Sequence, residues 1–218
     1  MHLKAFLFDL DGTLADTIPL SLLACRQALE PILGRHVSEE EVSSHFGVNE
    51  TGILQRIAPE QWEEALQSYY RLYEENHTAF REPFADIITA LDMLKARGLA
   101  LGLVTGKGEY SATYTLKYMG LAEYFSIIST GAQDAIIKSR SITEILATWH
   151  IEPEYAAYIG DADTDMREAE LAGVLPLAAE WSPTATIHRL AIRPAITFAT
   201  VAEFVQWIDK NVPDTTNL

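Results

Sequence analysis

Residues 4–14, Lys-Ala-Phe-Leu-Phe-Asp-Leu-Asp-Gly-Thr-Leu, constrain the fold more than any other stretch. An apolar run ends abruptly in two carboxylates that flank one leucine, and a glycine follows. A short apolar run bounded by turn residues suits a fully buried strand. If residues 5–9 are extended, Asp9 lies at the carboxyl end of that strand, where open α/β sheets bind ligands. Asp9 and Asp11 repel each other unless a cation or a shared proton holds them. Gly12 lets the chain turn sharply beyond them. The simplest chemistry is a Mg²⁺ site beside a carboxylate nucleophile; the plainer alternative is an acidic turn after a strand.

The character changes after Thr17. Between 18 and about 80 no strand is expected. Leu20, Leu23, Ala24, Ala28 and Leu29 follow helical spacing. Asp16 or Thr17 is a candidate N-cap, with Pro19 in the first turn and Gly34 at the end. Ser38 with Glu41 reads as a capping box, Asn49 as the cap of a third helix, and Pro59 as the start of a long one. That last helix carries Trp62, Leu66, Tyr69, Tyr70 and Tyr73, read as packing between helices. The loop 46–50 either faces a site or simply connects helices. Hinges are expected near 15–17 and 81–84.

From Asp86 onward strands alternate with helices: strands at 99–104, 124–129, 155–159, 174–177 and 196–198, with helices between them and a closing helix at 201–210. This alternation implies an α/β fold, a Rossmann-like parallel sheet core with helices on both faces and an α-helical cap domain inserted after the first strand. The expected division is a core of 1–16 and 82–212, a cap of 17–81 and a frayed polar tail of 213–218.

Three buried runs end in polar clusters: Asp9 with Asp11, Thr105-Gly106-Lys107, and Asp161 with Asp165. Parallel strands bring these ends to one edge of the sheet. Asp9, Asp161 and Asp165 are candidate ligands for an oxygen-seeking cation such as Mg²⁺. A carboxylate can attack phosphorus to give an aspartyl phosphate. Asp11 can serve as acid and then base. The Thr105 hydroxyl and the Gly106 N–H can hold phosphate oxygens. A lysine is also needed to hold the anionic oxygens. Lys138 is expected in a loop before the helix from Ser141, and Lys107, between two glycines, otherwise reads as a solvated loop residue. Asp163 is expected to cap a helix. Trp181 and His188 are expected to pack.

Composition narrows the partners. A formal charge of −15 over 218 residues argues against nucleic acid and requires any phosphate site to be locally positive. The lone cysteine, Cys25, suits a reducing, cytoplasmic setting and reads as a helix packing residue. No secretory signal is evident, and no run approaches the ~18 apolar residues of a membrane helix. The histidines show no metal-ligand spacing.

The string Phe-Asp-Leu-Asp-Gly-Thr-Leu-x-Asp-Thr resembles the first motif of the haloacid dehalogenase superfamily, mostly Mg²⁺-dependent phosphohydrolases. Its members similar to phosphoglycolate phosphatase and β-phosphoglucomutase carry a helical cap at the position of the insertion here. The resemblance spans about residues 5 to 177. It implies Asp9 as nucleophile and metal ligand, and Asp11 as general acid/base with its backbone carbonyl on Mg²⁺. It implies Thr105 on the phosphate, Asp161 as direct metal ligand and Asp165 in support. Two departures stand out. Gly106 follows Thr105 where the family usually has Asn. The resemblance implies Lys138 as the lysine that holds the phosphate, with Lys107 as the competitor; Lys138 is followed by Ser139-Arg140-Ser141 where the family usually has Lys-Pro-x-Pro, so a less rigid loop is expected. The expected function is hydrolysis of a small phosphorylated metabolite. The alternative is a phosphosugar mutase, with the cap deciding between them. Haloacid dehalogenation is disfavoured, because it needs neither Asp11 nor Mg²⁺. The complete polar set argues against an inactive binding module.

Overall fold

The computed structural model describes residues 2–80, 82–187 and 194–213. Its centre is a parallel sheet built from β1 (Ala5–Phe8), β2 (Ala100–Val104), β3 (Ile127–Ser129), β4 (Ala156–Gly160), β5 (Leu175–Ala179) and β6 (Ile196–Phe198). The strand order is β3-β2-β1-β4-β5-β6. The chain leaves β1 towards β2 and β3, then returns to β4 on the other side, so the order reverses beside β1. Such a reversal opens a crevice at the carboxyl ends of the strands. Phe8 is level with Leu103 and Ile159, which brings Asp9, Thr105 and Asp161 out together just beyond the sheet.

The two-residue period of a strand explains why β1 is apolar throughout. Phe6 and Phe8 face one layer, packed with α5 (Ile87–Ala96), α6 (Glu109–Tyr118) and α9 (Val201–Asn211) through Leu91, Leu116 and Phe204. Ala5 and Leu7 face the other layer, against α7 (Lys138–Trp149) and α8 (Asp163–Leu171) through Ile142, Ile145 and Ala169.

The helices α1 (Ile18–Leu33), α2 (Glu39–Ser43), α3 (Glu50–Ile57) and α4 (Trp62–His77) share their own apolar cluster. Leu20, Leu29, Val42, Leu54, Tyr69 and Tyr73 fill it, and Cys25 is buried among them. The aromatic stripe is therefore mainly packing. Ser38 Oγ accepts from Glu41 N–H and Asn49 Oδ1 from Gly52 N–H, both at 3.0 Å, as their spacing predicts. Among the described residues, no helix is long and apolar enough to cross a membrane.

Several boundaries differ from the sequence expectation. Residues 122–124 form a 3₁₀ turn, and the third strand begins only at Ile127. α4 starts at Trp62, after a turn that contains Pro59. Lys138 is not in a loop: it opens α7, whose first turn precedes Ser141. His188, residue 81 of the second hinge and the tail from 214 lie outside the described residues.

Candidate active site

Asp9 closes β1 with its N–H bonded to the Ile159 carbonyl at 3.0 Å. Its Oδ2 stands 3.0 Å from Lys138 Nζ, while its Oδ1 is buried with no hydrogen-bond partner. Lys138 Nζ also donates to Asp165 Oδ1 at 2.5 Å. Asp165 is held further by Tyr158 OH at 3.2 Å on the same oxygen and by Ala162 N–H at 3.0 Å on the other. Asp165 thus caps the N-terminus of α8, the task expected of Asp163. Asp163 begins the helix with its Oδ1 buried and unpartnered, because the cap residue is Ala162 and the chain turns back through Asp165.

Asp161 is buried beside Gly12. Gly12 has φ +76°, and a Cβ there would lie 2.1 Å from Asp161 Oδ2, so the turn after Asp11 needs glycine for both reasons. Oxygens of Asp9, Asp161 and Asp165 lie within 4.8 Å of one another. The free Asp9 Oδ1 and this all-oxygen donor set fit a hard divalent cation. Asp9 and Asp161 are placed to bind it directly. The bonds that already engage both oxygens of Asp165 suit it to support.

Burial above all, with Asp165 and Asp11 adding repulsion, pushes the Asp9 carboxyl from 3.8 up to about 7 despite Lys138. Burial, then Asp165 and Asp9, hold Asp161 well above the carboxylate range. Burial opposes the charge on Lys138, but Asp165 and Asp9 outweigh it and keep the ammonium well above the lysine range. A raised carboxyl means that the folded form holds a proton that the unfolded chain releases. Stability of the cation-free protein therefore falls as pH rises from 3.8 to about 7. The expected result is a lower melting temperature in chelator at about pH 8 than at about pH 5, with Mg²⁺ raising it more at the higher pH. Equal Mg²⁺ shifts at both pH values would show that these carboxylates are not its site.

Asp11 occupies the opposite wall. Its Oδ1 accepts from Thr17 Oγ1 at 2.5 Å and stands 3.2 Å from Lys107 Nζ. Thr17 begins α1 in the N-cap position, yet its hydroxyl serves Asp11 and not the helix. Lys107 overturns the expectation of a solvated loop lysine: it is 7% exposed. Its Nζ also donates to Ser21 Oγ at 2.8 Å and lies 4.6 Å from the centre of the Tyr73 ring. Of the flanking glycines, Gly108 serves close approach rather than mobility. Gly108 N–H donates to Glu50 Oε2 at 2.7 Å, and a Cβ on Gly108 would meet that carboxylate at 2.7 Å. Glu50 also accepts from Ser111 Oγ at 2.7 Å. Asn49 donates through its side chain to Gly131 O at 3.0 Å. The 46–50 loop therefore faces the crevice and is more than a connector.

Thr105 is buried, with its N–H on Ser129 O at 3.0 Å and its Oγ1 accepting from Lys107 N–H at 3.2 Å, which leaves its hydroxyl proton free to donate. Gly106 follows on the same turn, where a side chain would approach Gly47. Trp181 packs against Phe204 and donates to Thr13 O at 3.0 Å, bracing the turn after Asp11. The sequence points to no site role for Tyr158, Ser21 or Glu168, and to Glu50 only as part of the 46–50 loop. Only Glu168 left a periodic signal: it follows Asp165 by three residues and so shares its helix face.

The family model of haloacid dehalogenase-like hydrolases matches residues 6–179. A phosphoglycolate phosphatase of Neisseria meningitidis serogroup A is 30% identical over 188 residues, covering 80% of this chain and 79% of its own. The pyrophosphatase PpaX of Bacillus cereus is 25% identical over 196 residues, covering 89% and 91%. The crystal structure of a predicted phosphoglycolate phosphatase from Haemophilus somnus superposes with a TM-score of 0.80 at 20% identity, covering 94% of this chain and 98% of its own. At that identity the likeness speaks for the fold.

Proposed function

Because the chain belongs to the haloacid dehalogenase-like hydrolases, we propose that it hydrolyses a small phosphate monoester through an aspartyl phosphate on Asp9. The observation that carries this reading is the pairing of Lys138 Nζ with Asp9 Oδ2 at 3.0 Å beside the unpartnered Asp9 Oδ1. One oxygen of the nucleophile is aimed by a cation, and no hydrogen bond occupies the other.

Asp9 attacks phosphorus and the bond to the leaving oxygen breaks. Lys138, the Thr105 hydroxyl and the Gly106 N–H hold the phosphoryl oxygens. Asp11 gives the leaving oxygen its proton, then takes one from the water that attacks the aspartyl phosphate, which releases phosphate and restores Asp9. Bound Mg²⁺, held by Asp9, Asp161 and the Asp11 carbonyl with Asp165 in support, would supply charge neutralisation. The block 17–81 acts as the cap, which excludes water while the crevice is closed.

Hydrolysis is favoured over a mutase. A mutase must hold a second phosphate on the cap side. The cap loop that faces the crevice, 46–50, has no lysine or arginine to hold one. The relatives' names, phosphoglycolate phosphatase and pyrophosphatase, support a small phosphorylated anion as the substrate. The setting proposed is cytoplasmic.

The test is turnover of an aryl phosphate, followed by a panel of phosphorylated metabolites, with and without Mg²⁺. Hydrolysis should vanish in chelator and return with Mg²⁺. Full activity in excess chelator, or none on any phosphate ester with Mg²⁺ present, would refute the proposal.

A further inference from the structure

Lys138 opens α7 with neither of the prolines that would stiffen its turn. The residue before it, Ile137, has no side-chain oxygen to cap the helix. The first turn of a helix leaves backbone N–H groups without partners. One of them is met from another helix. Ser139 N–H donates to Glu168 Oε2 at 3.0 Å, and the Ser139 hydroxyl donates to the same oxygen at 2.7 Å.

Glu168 stands on α8, one turn beyond Asp165. The carboxylate that grips Ser139 and the carboxylate that pairs with Lys138 therefore share one helix face. Glu168 is 4% exposed, and burying a carboxylate is costly unless it is well bonded. Its other oxygen lies 3.4 Å from Arg167 Nη2. A second tie reaches the same segment: Ser129 Oγ, at the end of β3, donates to Ser141 Oγ at 2.8 Å.

We propose that Glu168 is a positioning residue. Through Ser139 it fixes the first turn of α7, and so holds Lys138 Nζ between Asp9 and Asp165. A hydrogen-bonded clamp between two helices does here what ring stiffness would do in a proline-containing turn. The effect on phosphate binding rests on the phosphoryl-transfer reading above; the placement of Lys138 does not.

Two measurements on the full chain test this without turnover. The first is acetic anhydride labelling of Lys138 and Lys107, resolved by mass spectrometry. Both lysines are 7% exposed, so Lys107 reports general loosening. Glu168→Ala should raise labelling at Lys138 several-fold and leave Lys107 unchanged, whereas Glu168→Gln, which keeps an acceptor oxygen, should restore most of the protection. The second is the affinity for inorganic phosphate with Mg²⁺ present. It should fall by roughly tenfold or more in Glu168→Ala, the scale of a lost hydrogen bond to a charged group. No further loss should appear when the change is made in a Lys138→Met background.

If Glu168→Ala does not fold, Ser139→Ala removes only the hydroxyl bond, and its labelling at Lys138 should still exceed wild type. Unchanged labelling at Lys138, an equal rise at both lysines, or a phosphate loss that persists without Lys138 would overturn the proposal. A wild-type protein that binds phosphate but hydrolyses no ester would refute the functional reading, and the labelling comparison would still decide this one.

Discussion

Asp9→Asn should reduce phosphatase turnover to background, a loss beyond about a thousandfold or ~4 kcal/mol in the barrier. The substitution would remove the proposed attacking carboxylate and one charge from the proposed cation site, while keeping an amide oxygen that Lys138 can meet. The stability of the variant makes the result interpretable. Asp9 is forced towards its protonated form by burial and by Asp165 and Asp11, so a neutral amide relieves repulsion in the cation-free protein. Its melting temperature in chelator should therefore match or exceed that of wild type near pH 8. Lost activity with retained stability assigns the loss to chemistry. Retention of more than about a tenth of wild-type turnover, a change under ~1.4 kcal/mol, would remove Asp9 from the nucleophile's role.

The second large effect is expected from the two buried lysines, compared as Lys138→Met and Lys107→Met to keep the aliphatic stem. Lys138 touches the proposed nucleophile and the carboxylate beside it, 3.0 Å from Asp9 and 2.5 Å from Asp165. Its loss leaves a cluster of carboxylates without their cation, and the phosphate must then approach that cluster. Weaker phosphate binding and slower aspartyl-phosphate formation should together cost at least ~2–3 kcal/mol, the scale for truncating one partner of a buried charge pair. Lys107 touches the proposed acid instead, 3.2 Å from Asp11, and ties it to Ser21 and Tyr73. Its loss should also be costly, but in a different measurement: phosphate affinity should hold, while proton transfer to a poor leaving group slows. Single-turnover rates with aryl phosphates of differing leaving-group acidity separate the two. A leaving-group dependence that steepens in Lys138→Met and not in Lys107→Met would exchange their roles.

That comparison shows where the sequence was legible and where it was not. Strand and helix periods are local properties, so the α/β alternation, the apolar first strand and most helix limits could be read directly from side-chain order. Convergence of Asp9, Thr105 and Asp161 on one edge could be read as well, because parallel strands put all their carboxyl ends on the same side. The third strand is shorter than its sequence suggests: Tyr124 and Phe125 are apolar enough for a strand, but the 3₁₀ turn at 122–124 places them against the core.

The environments of the charged groups could not be read this way. Lys107 lies between two glycines, a local signature of mobility, yet one of them, Gly108, lets the backbone meet Glu50 of the 46–50 loop. Glu168 and Ser139 are 29 residues apart and meet only because α7 and α8 pack side by side on one face of the sheet. Sequence by itself determined which elements form and which carboxylates reach the crevice. Tertiary packing alone decided which cation faces which carboxylate, because burial, and the Coulomb interaction that burial strengthens, depend on neighbours that chain order does not reveal.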